Sequence, residues 1–452
     1  MNQPFYEIYR DIPTYSRFLK VNEIDQLINS IVQLPKVTYK KIGKTIDEEP
    51  LCMLEIGSGE KTALIMGVPH SDEPLGSLVI TFFARWLATH PEKDYFGWRW
   101  LFIPVLERRG MRLNEGWFNM SHSFADMAKS TFREPTEDQY EWTFPIEYDQ
   151  YSWQKSRPET LAVKQLIEKE KPDLMCGLHH SGFHNAYFYL SKDFPEVYDE
   201  LRKLTKTCRI PLSTTAPDVP FGVMFEPGFY QMYGLKDYIN YYKKKDPLVL
   251  TAIKRGACSD EFYKDTVGGF SFNCEVPLYL TAKLQDTSPS YIIRKDMMTK
   301  RYQQKKNRLY YSKMIFRLIR DYVDDADFIL SNAVEKHFMN AQTSLDHEKR
   351  LLENLDDTEV NKSEAFENEV LTDIFDLFFL GQIWRVAESI CIKGGNPRIC
   401  KVMDEVDIQI KNLGKKVQET GGFYQLPIRN SVQMQLGSIL IISNKLIEKE
   451  KK

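Results

Sequence analysis

Residues 63–68 read ALIMGV, an uncharged apolar run that passes at once into PHSDEP (69–74) and then SLVITFFARWLATH (77–90), an apolar segment of helix length stopped by Pro91. A short apolar run bounded by turn signals suits a buried strand, and a strand that delivers straight into a helix belongs to α/β organisation. Upstream, NEIDQLINSIV (22–32) puts Ile24, Leu27, Ile28 and Ile31 on one helical face, and residues 37–47 and 51–57 read as two strands. Downstream, WRWLFIPVL (98–106) is another candidate central strand, and DLMCGLHHS (173–181) ends a further short apolar one. Between them lies SRPETLAVKQLIEKEKP, where Ser156, Pro158 and Glu159 make a capping-box pattern and Leu161, Val163, Leu166 and Ile167 are expected to point inward. The expected fold is α/β: a mixed, mostly parallel twisted central sheet flanked by helices, with a C-terminal helical segment.

Strand ends are where this chain concentrates its chemistry. The sheet fixes the backbone there, and the loop that follows presents side chains into a crevice. His70 and Glu73 stand three positions apart just after the first run, offering an imidazole nitrogen and a carboxylate oxygen, half of a tetrahedral zinc shell. His179, His180 and His184 cluster after the strand at 173–178. Consecutive strand residues point to opposite faces, so one of His179 and His180 can ligate while the other packs, pairs or faces substrate. A His, Glu, His set leaves the fourth position for water, as a hydrolase requires.

Glu275 lies in the otherwise apolar VGGFSFNCEVPLYL (267–280). A carboxylate there is costly unless paired or functional, and desolvation would raise its pKa toward the range of a general base. The segment ERRGMRLNEGWFN (107–119) gathers three arginines at a strand end, where they could clamp an anionic substrate or stabilise an oxyanion. The aperiodic stretch 119–155 reads as a binding loop or pocket wall, and KRGACSDEFYKD (254–265) as a polar turn that could floor a pocket.

Composition narrows the partners. Lys and Arg number 60 against 63 Asp and Glu, which gives no electrostatic case for nucleic acid or for an anionic membrane. The N-terminus lacks the pattern of a signal peptide and no window is apolar for the length of a membrane span, so a cytoplasmic location is the default expectation. The seven cysteines are scattered without CxxC spacing, and neither a disulfide framework nor a thiolate zinc cluster is expected.

Beyond residue 300 the character changes to helices: 301–338 with a basic start and an apolar stripe through Met314, Ile315, Leu318, Ile319 and Tyr322, then 370–392 and 431–450. The acidic stretch 341–369 reads as a solvated helix or linker, and His337 and His347, without partners at ligand spacing, as surface residues. The expected division is a catalytic domain over 1–300 and a helical accessory region over 301–452, packed on the enzyme domain or serving to form a homo-oligomer.

HSDE at 70–73, LHHS at 178–181 and CEVP at 274–277, in this order, resemble the zinc carboxypeptidase family of metallopeptidases over roughly residues 5–300. The helix PETLAVKQLIEKEKPD and the SD of GACSDEF agree with that pattern. The resemblance implies that His70, Glu73 and His179 hold zinc, and that Glu275 takes the proton of the activated water and returns it to the leaving nitrogen. An arginine, Arg112 by position, would stabilise the oxyanion. The family's Asn-Arg pair for the substrate carboxylate is missing from 107–119; Arg112 and Asn114 are the local substitutes, with Arg133 on the long loop as an alternative. Tyr230 and Tyr233 are candidates for the family's mobile tyrosine, and Asp260 or Glu261, if it floors the pocket, would favour a basic side chain. The implied activity is zinc-dependent cleavage of a peptide or small amide, carboxypeptidase-type. Alternatives are a deacylase or amidohydrolase acting on small N-acyl or modified amino acids, and a non-catalytic binding or scaffold protein.

Overall fold

The computed structural model describes residues 3–120, 123–213, 219–324, 328–353, 355–394 and 396–450. Helices α1 (Gln3–Asp11) and α2 (Val21–Val32) lead into strands β1 (Val37–Lys44), β2 (Pro50–Ile56) and β3 (Lys61–Gly67). Helix α3 (Leu75–Thr89), strand β4 (Trp98–Ile103) and helices α4 (Arg108–Asn114) and α5 (Phe124–Ala128) follow. A small hairpin, β5 (Ile146–Tyr148) and β6 (Tyr151–Trp153), precedes α6 (Pro158–Glu170), β7 (Leu174–Leu178), β8 (Tyr187–Leu190) and α7 (Tyr198–Cys208). Strands β9 (Met224–Glu226) and β10 (Phe229–Gln231), helices α8 (Leu235–Tyr242), α9 (Val249–Ala252) and α10 (Ser259–Thr266), and strand β11 (Phe270–Glu275) complete the sheet region. The remainder is helical: α11 (Arg294–Arg320), α12 (Phe328–Leu352), α13 (Lys362–Phe366), α14 (Thr372–Ile392), α15 (Pro397–Gly421) and α16 (Ile428–Glu450).

Among the described residues nine strands form one sheet in the order β1-β2-β4-β3-β7-β11-β8-β10-β9. Its centre, β4, β3, β7 and β11, is parallel, and antiparallel pairs flank it. Alternation along β3 divides the core. Ala63 and Ile65 join an apolar cluster with residues of α3, α7 and α16, whereas Leu64 and Met66 join one with Val163, Leu166 and Ile167 of α6 and Leu235 of α8. Both faces of the central strands are therefore covered, which explains why β3 and β7 carry no charge beyond Lys61 at the sheet's edge.

Several local expectations are corrected. No side chain caps α6; Glu159 instead accepts the Ile46 N–H and pairs with Arg157, and Leu161 is 45% exposed. The basic helix breaks into α11 and α12, and only Ile315 and Ile319 of the expected stripe are buried. His347 lies inside, its Nδ1 2.6 Å from an oxygen of Asp246, and His337 stacks on Phe379. Cys391 of α14 and Cys400 of α15 form a disulfide, a single bridge where no disulfide framework was expected; the other five cysteines are free. Among the described residues no helix is long and apolar enough to cross a membrane.

The last helix does not stay with its neighbours in sequence. α16 packs on α1, α3, α7 and β7, with Val432, Leu436, Ile439, Leu440 and Ile442 at most 1% exposed. Burial of such side chains contributes roughly 1.5–3 kcal/mol each. On the opposite face, Arg157 sits between Glu107 (2.8 Å) and Glu159 (3.0 Å), all three nearly inaccessible. Arg157→Met should cost about 3–5 kcal/mol by leaving buried carboxylates uncompensated, read as a lower midpoint in chemical denaturation; a loss below about 1 kcal/mol would show that this triad is not holding the loop to α6.

Candidate metal centre

β3 leaves the sheet through Val68, whose φ of +54° is unusual for a β-branched residue and strained. The neighbouring crossover holds it there: the Leu106 and Glu107 N–H groups donate to the carbonyls of Gly67 and Val68, each at 3.1 Å. The next turn closes when the Glu73 N–H donates to the His70 carbonyl at 3.1 Å, and α3 begins at Leu75. Gly76 lets that helix start come against β7, since a Cβ there would lie 2.7 Å from the Leu178 Cβ. His179, the residue after β7, is thereby brought to Glu73.

One potential ligand atom from each of His70, Glu73 and His179 lies within 4.8 Å of the others, and the three residues are buried. His179 Nδ1 is 3.0 Å from a Glu73 oxygen, and the two imidazole centroids are 5.1 Å apart. Burial, with the Arg133 charge nearby, holds His70 well below its ordinary pKa, so its ring is neutral and can offer a lone pair. Burial opposes ionisation of Glu73, but His70, His179 and Arg133 together keep it well below the usual carboxylate range. His179 is pushed up to about 10 against its own burial, chiefly by Glu73 and then by Glu275 and Glu141. A site that holds a proton this firmly is a site of negative potential, and a metal ion competes for the same lone pair. His70 Nδ1 is also buried without a hydrogen-bond partner among the described residues. These donors fit a zinc-type ion: two nitrogens and one oxygen from a buried cluster that is open to a cavity.

That cavity has a volume of about 1360 Å³ and is lined by all three residues together with Glu275, His180 and His184. The ring nitrogens of His180 are buried without partners among the described residues, whereas His184 stands 3.8 Å from Glu367. Glu275 ends β11, beside β7 on the side away from β3, so its carboxylate enters from the third adjacent strand end. Gln435 of α16, fully buried, joins two of these ends: its Nε2 donates to the His179 carbonyl at 2.5 Å and to that of Cys274 at 3.4 Å.

Of the other expected site residues, three line the cavity and three do not: Arg112, Asn114, and Tyr230, which is fully buried with its hydroxyl donating to the Ser213 carbonyl at 3.5 Å. Arg133 lies against the cluster, 3.0 Å from Asp72 and 3.2 Å from Glu73. Tyr233 packs edge-on to Tyr189, and Asp260 accepts from Asn273 Nδ2 at 2.9 Å while its Oδ1 is buried without a partner among the described residues. Arg112 is a correction. Its guanidinium pairs with Glu49 at 2.7 Å in the β1–β2 connection, and it does not line the cavity. Arg108 and Arg109 are likewise held by Asp25, Glu49 and Asp47. Asn114 is a second correction: its amide donates to the carbonyls of Ser71, Gly110 and Phe132 and its oxygen accepts from Phe132 and Trp117, which staples the long loop to the metal loop and leaves nothing for substrate.

The residues that sequence reasoning missed are Glu141, Gln435 and the cavity wall built by α11, α12, α14 and α15. Glu141 is buried, accepts from the Ser259 N–H and hydroxyl at 2.9 Å, and is pushed up to about 7 by burial although His179 opposes this. A glutamate between aromatic residues in YEW was the available signal for it.

No protein-family model matches the chain, and no curated protein matches it. Among solved structures it is similar to a metallo-carboxypeptidase from Burkholderia cenocepacia, at 16% identity and a TM-score of 0.35 over 57% of this chain and 60% of that one. A metallo-carboxypeptidase from Pseudomonas aeruginosa, in complex with (2-guanidinoethylmercapto)succinic acid, gives 10% identity and a TM-score of 0.33 over 57% of this chain and 60% of that one. Bovine thrombin-activatable fibrinolysis inhibitor, in complex with tick carboxypeptidase inhibitor, gives 12% and 0.33 over 57% and 86%. The chain thus spans 60% of the length of either bacterial protein. Likeness at this level assigns neither a substrate nor a reaction.

Gln435→Leu keeps the side-chain volume but removes both hydrogen bonds. The expected outcome is a folded protein whose zinc affinity, measured by chelator competition, falls about 10-fold or more, the usual consequence of loosening the support of a ligand. An unchanged affinity would mean that the strand ends hold His179 without α16.

Proposed function

We propose that this chain is a zinc-dependent hydrolase of peptide or amide bonds, carboxypeptidase-type in its chemistry. The observation that carries the reading is the buried His70, Glu73, His179 cluster opening onto the same cavity as Glu275. Zinc held by the three residues would supply Lewis acidity, lowering the pKa of a water and polarising the scissile carbonyl. Glu275 takes the proton of the attacking water and hands it to the leaving nitrogen. Arg133 replaces Arg112 as the group that stabilises the developing oxyanion, because it is the guanidinium that stands beside the metal ligands in the cavity. The unpartnered Oδ1 of Asp260 favours a cationic substrate group near His179, and Tyr233 contributes a wall.

The decisive measurement is metal content together with hydrolysis of a panel of short peptides and N-acyl amino acids. We expect one equivalent of zinc, loss of turnover on chelation, and recovery on adding zinc. Glu275→Gln should retain the metal while kcat falls at least about 100-fold. Failure to bind added zinc would overturn the reading, and a zinc-loaded protein inert toward the whole panel would favour a binding role.

A further inference from the structure

Five basic side chains line the cavity: Arg133, Arg301, Lys305, Arg308 and Lys416. Four have acidic partners. Arg133 pairs with Asp72 and Glu73, Lys305 with Glu348 at 2.6 Å, Arg308 with Asp373 and Asp376, and Lys416 with Asp373 at 2.6 Å. Arg301 has neither an ion pair nor a hydrogen bond among the described residues, and its Nε is buried without a partner. It stands on α11 one turn before Lys305 and two before Arg308, a spacing that puts all three on the cavity face of the helix. Its neighbours on that face are paired, so among the described basic residues lining the cavity Arg301 is the one without an acidic partner.

A half-buried guanidinium without a counter-ion is costly, and a carboxylate seated in its fork relieves that cost with paired, charge-assisted hydrogen bonds. Arg133, the basic side chain beside the metal-type residues, is already paired with Asp72 and Glu73. The arginines at 108, 109 and 112, where a clamp for a substrate carboxylate was expected, are all committed to acids elsewhere. We propose that Arg301, carried by the C-terminal helices, binds a carboxylate of the substrate, so that the preferred substrate is a peptide or amide bearing an anionic group on the α11 side of the cavity. The proposal rests on the hydrolase function for turnover, whereas anion binding at Arg301 does not require it.

The test uses the full chain loaded with zinc in the Glu275→Gln background, so that binding is read without hydrolysis. The probes are a short peptide ending in glutamates and its counterpart with glutamines and a C-terminal amide. The protein should bind the acidic peptide more tightly by about 10–100-fold, the worth of a hydrogen-bonded charge pair. Adding Arg301→Gln should bring that ratio toward one, and Arg301→Lys should keep part of it. Increasing ionic strength should erode the preference of the unsubstituted Arg301 protein, a readout that holds even if the glutamine variant does not fold. Equal binding of the two peptides, or a preference unaltered by Arg301→Gln, overturns the proposal. If the preference is found but no peptide is cleaved by the protein with Glu275 intact, the hydrolase reading fails and the anion site stands.

Discussion

In a parallel pair of strands both chains leave the sheet at the same edge, and the central arrangement here depends on that constraint. β3, β7 and β11 run side by side and parallel, so the loop bearing His70 and Glu73, the residue His179 and the carboxylate of Glu275 all emerge together although they are separated by up to about 200 positions in sequence. The sheet's two covered faces make this edge stiff. The long loop with Arg133 and the helices from α11 onward are built around it.

The helical region is a structural partner of that edge on two sides. α11, α12, α14 and α15 wall the cavity, while α16 crosses back to fill the layer over β7 and reaches the ligand backbone through Gln435. Charge is distributed to match. Carboxylates concentrate at the metal end, where they raise the affinity for a cation, and the basic side chains of α11 stand across the cavity.

The strands, the principal helices and the cluster were legible in the sequence because each depends on local pattern: apolar runs of strand length, and ligand-type residues at the points where those runs stop. The reading failed where long-range contact decides. Arg112 next to a strand end has the same local signature whether it faces a cleft or Glu49, and only the β1–β2 connection settles the matter. Asn114 reads as a polar loop residue, yet three carbonyls from different segments consume its amide. His347 lacks a neighbour at ligand spacing because its partner, Asp246, lies on another helix connection altogether. Nothing periodic announces that α16 belongs with β7, or that Arg301 borders the cavity entered by Glu275.

The hydrogen bond from Gln435 to the His179 carbonyl links positions 256 apart in the chain. During synthesis the strands bearing His70, Glu73 and His179 emerge long before the helix that braces them. A nascent polypeptide can therefore pair β3, β7 and β11 while its centre is still loosely held, and the centre tightens only after the final helix docks. The order of the elements along the chain thus sets its own delay between pairing the central strands and bracing the edge where the three metal-type residues stand.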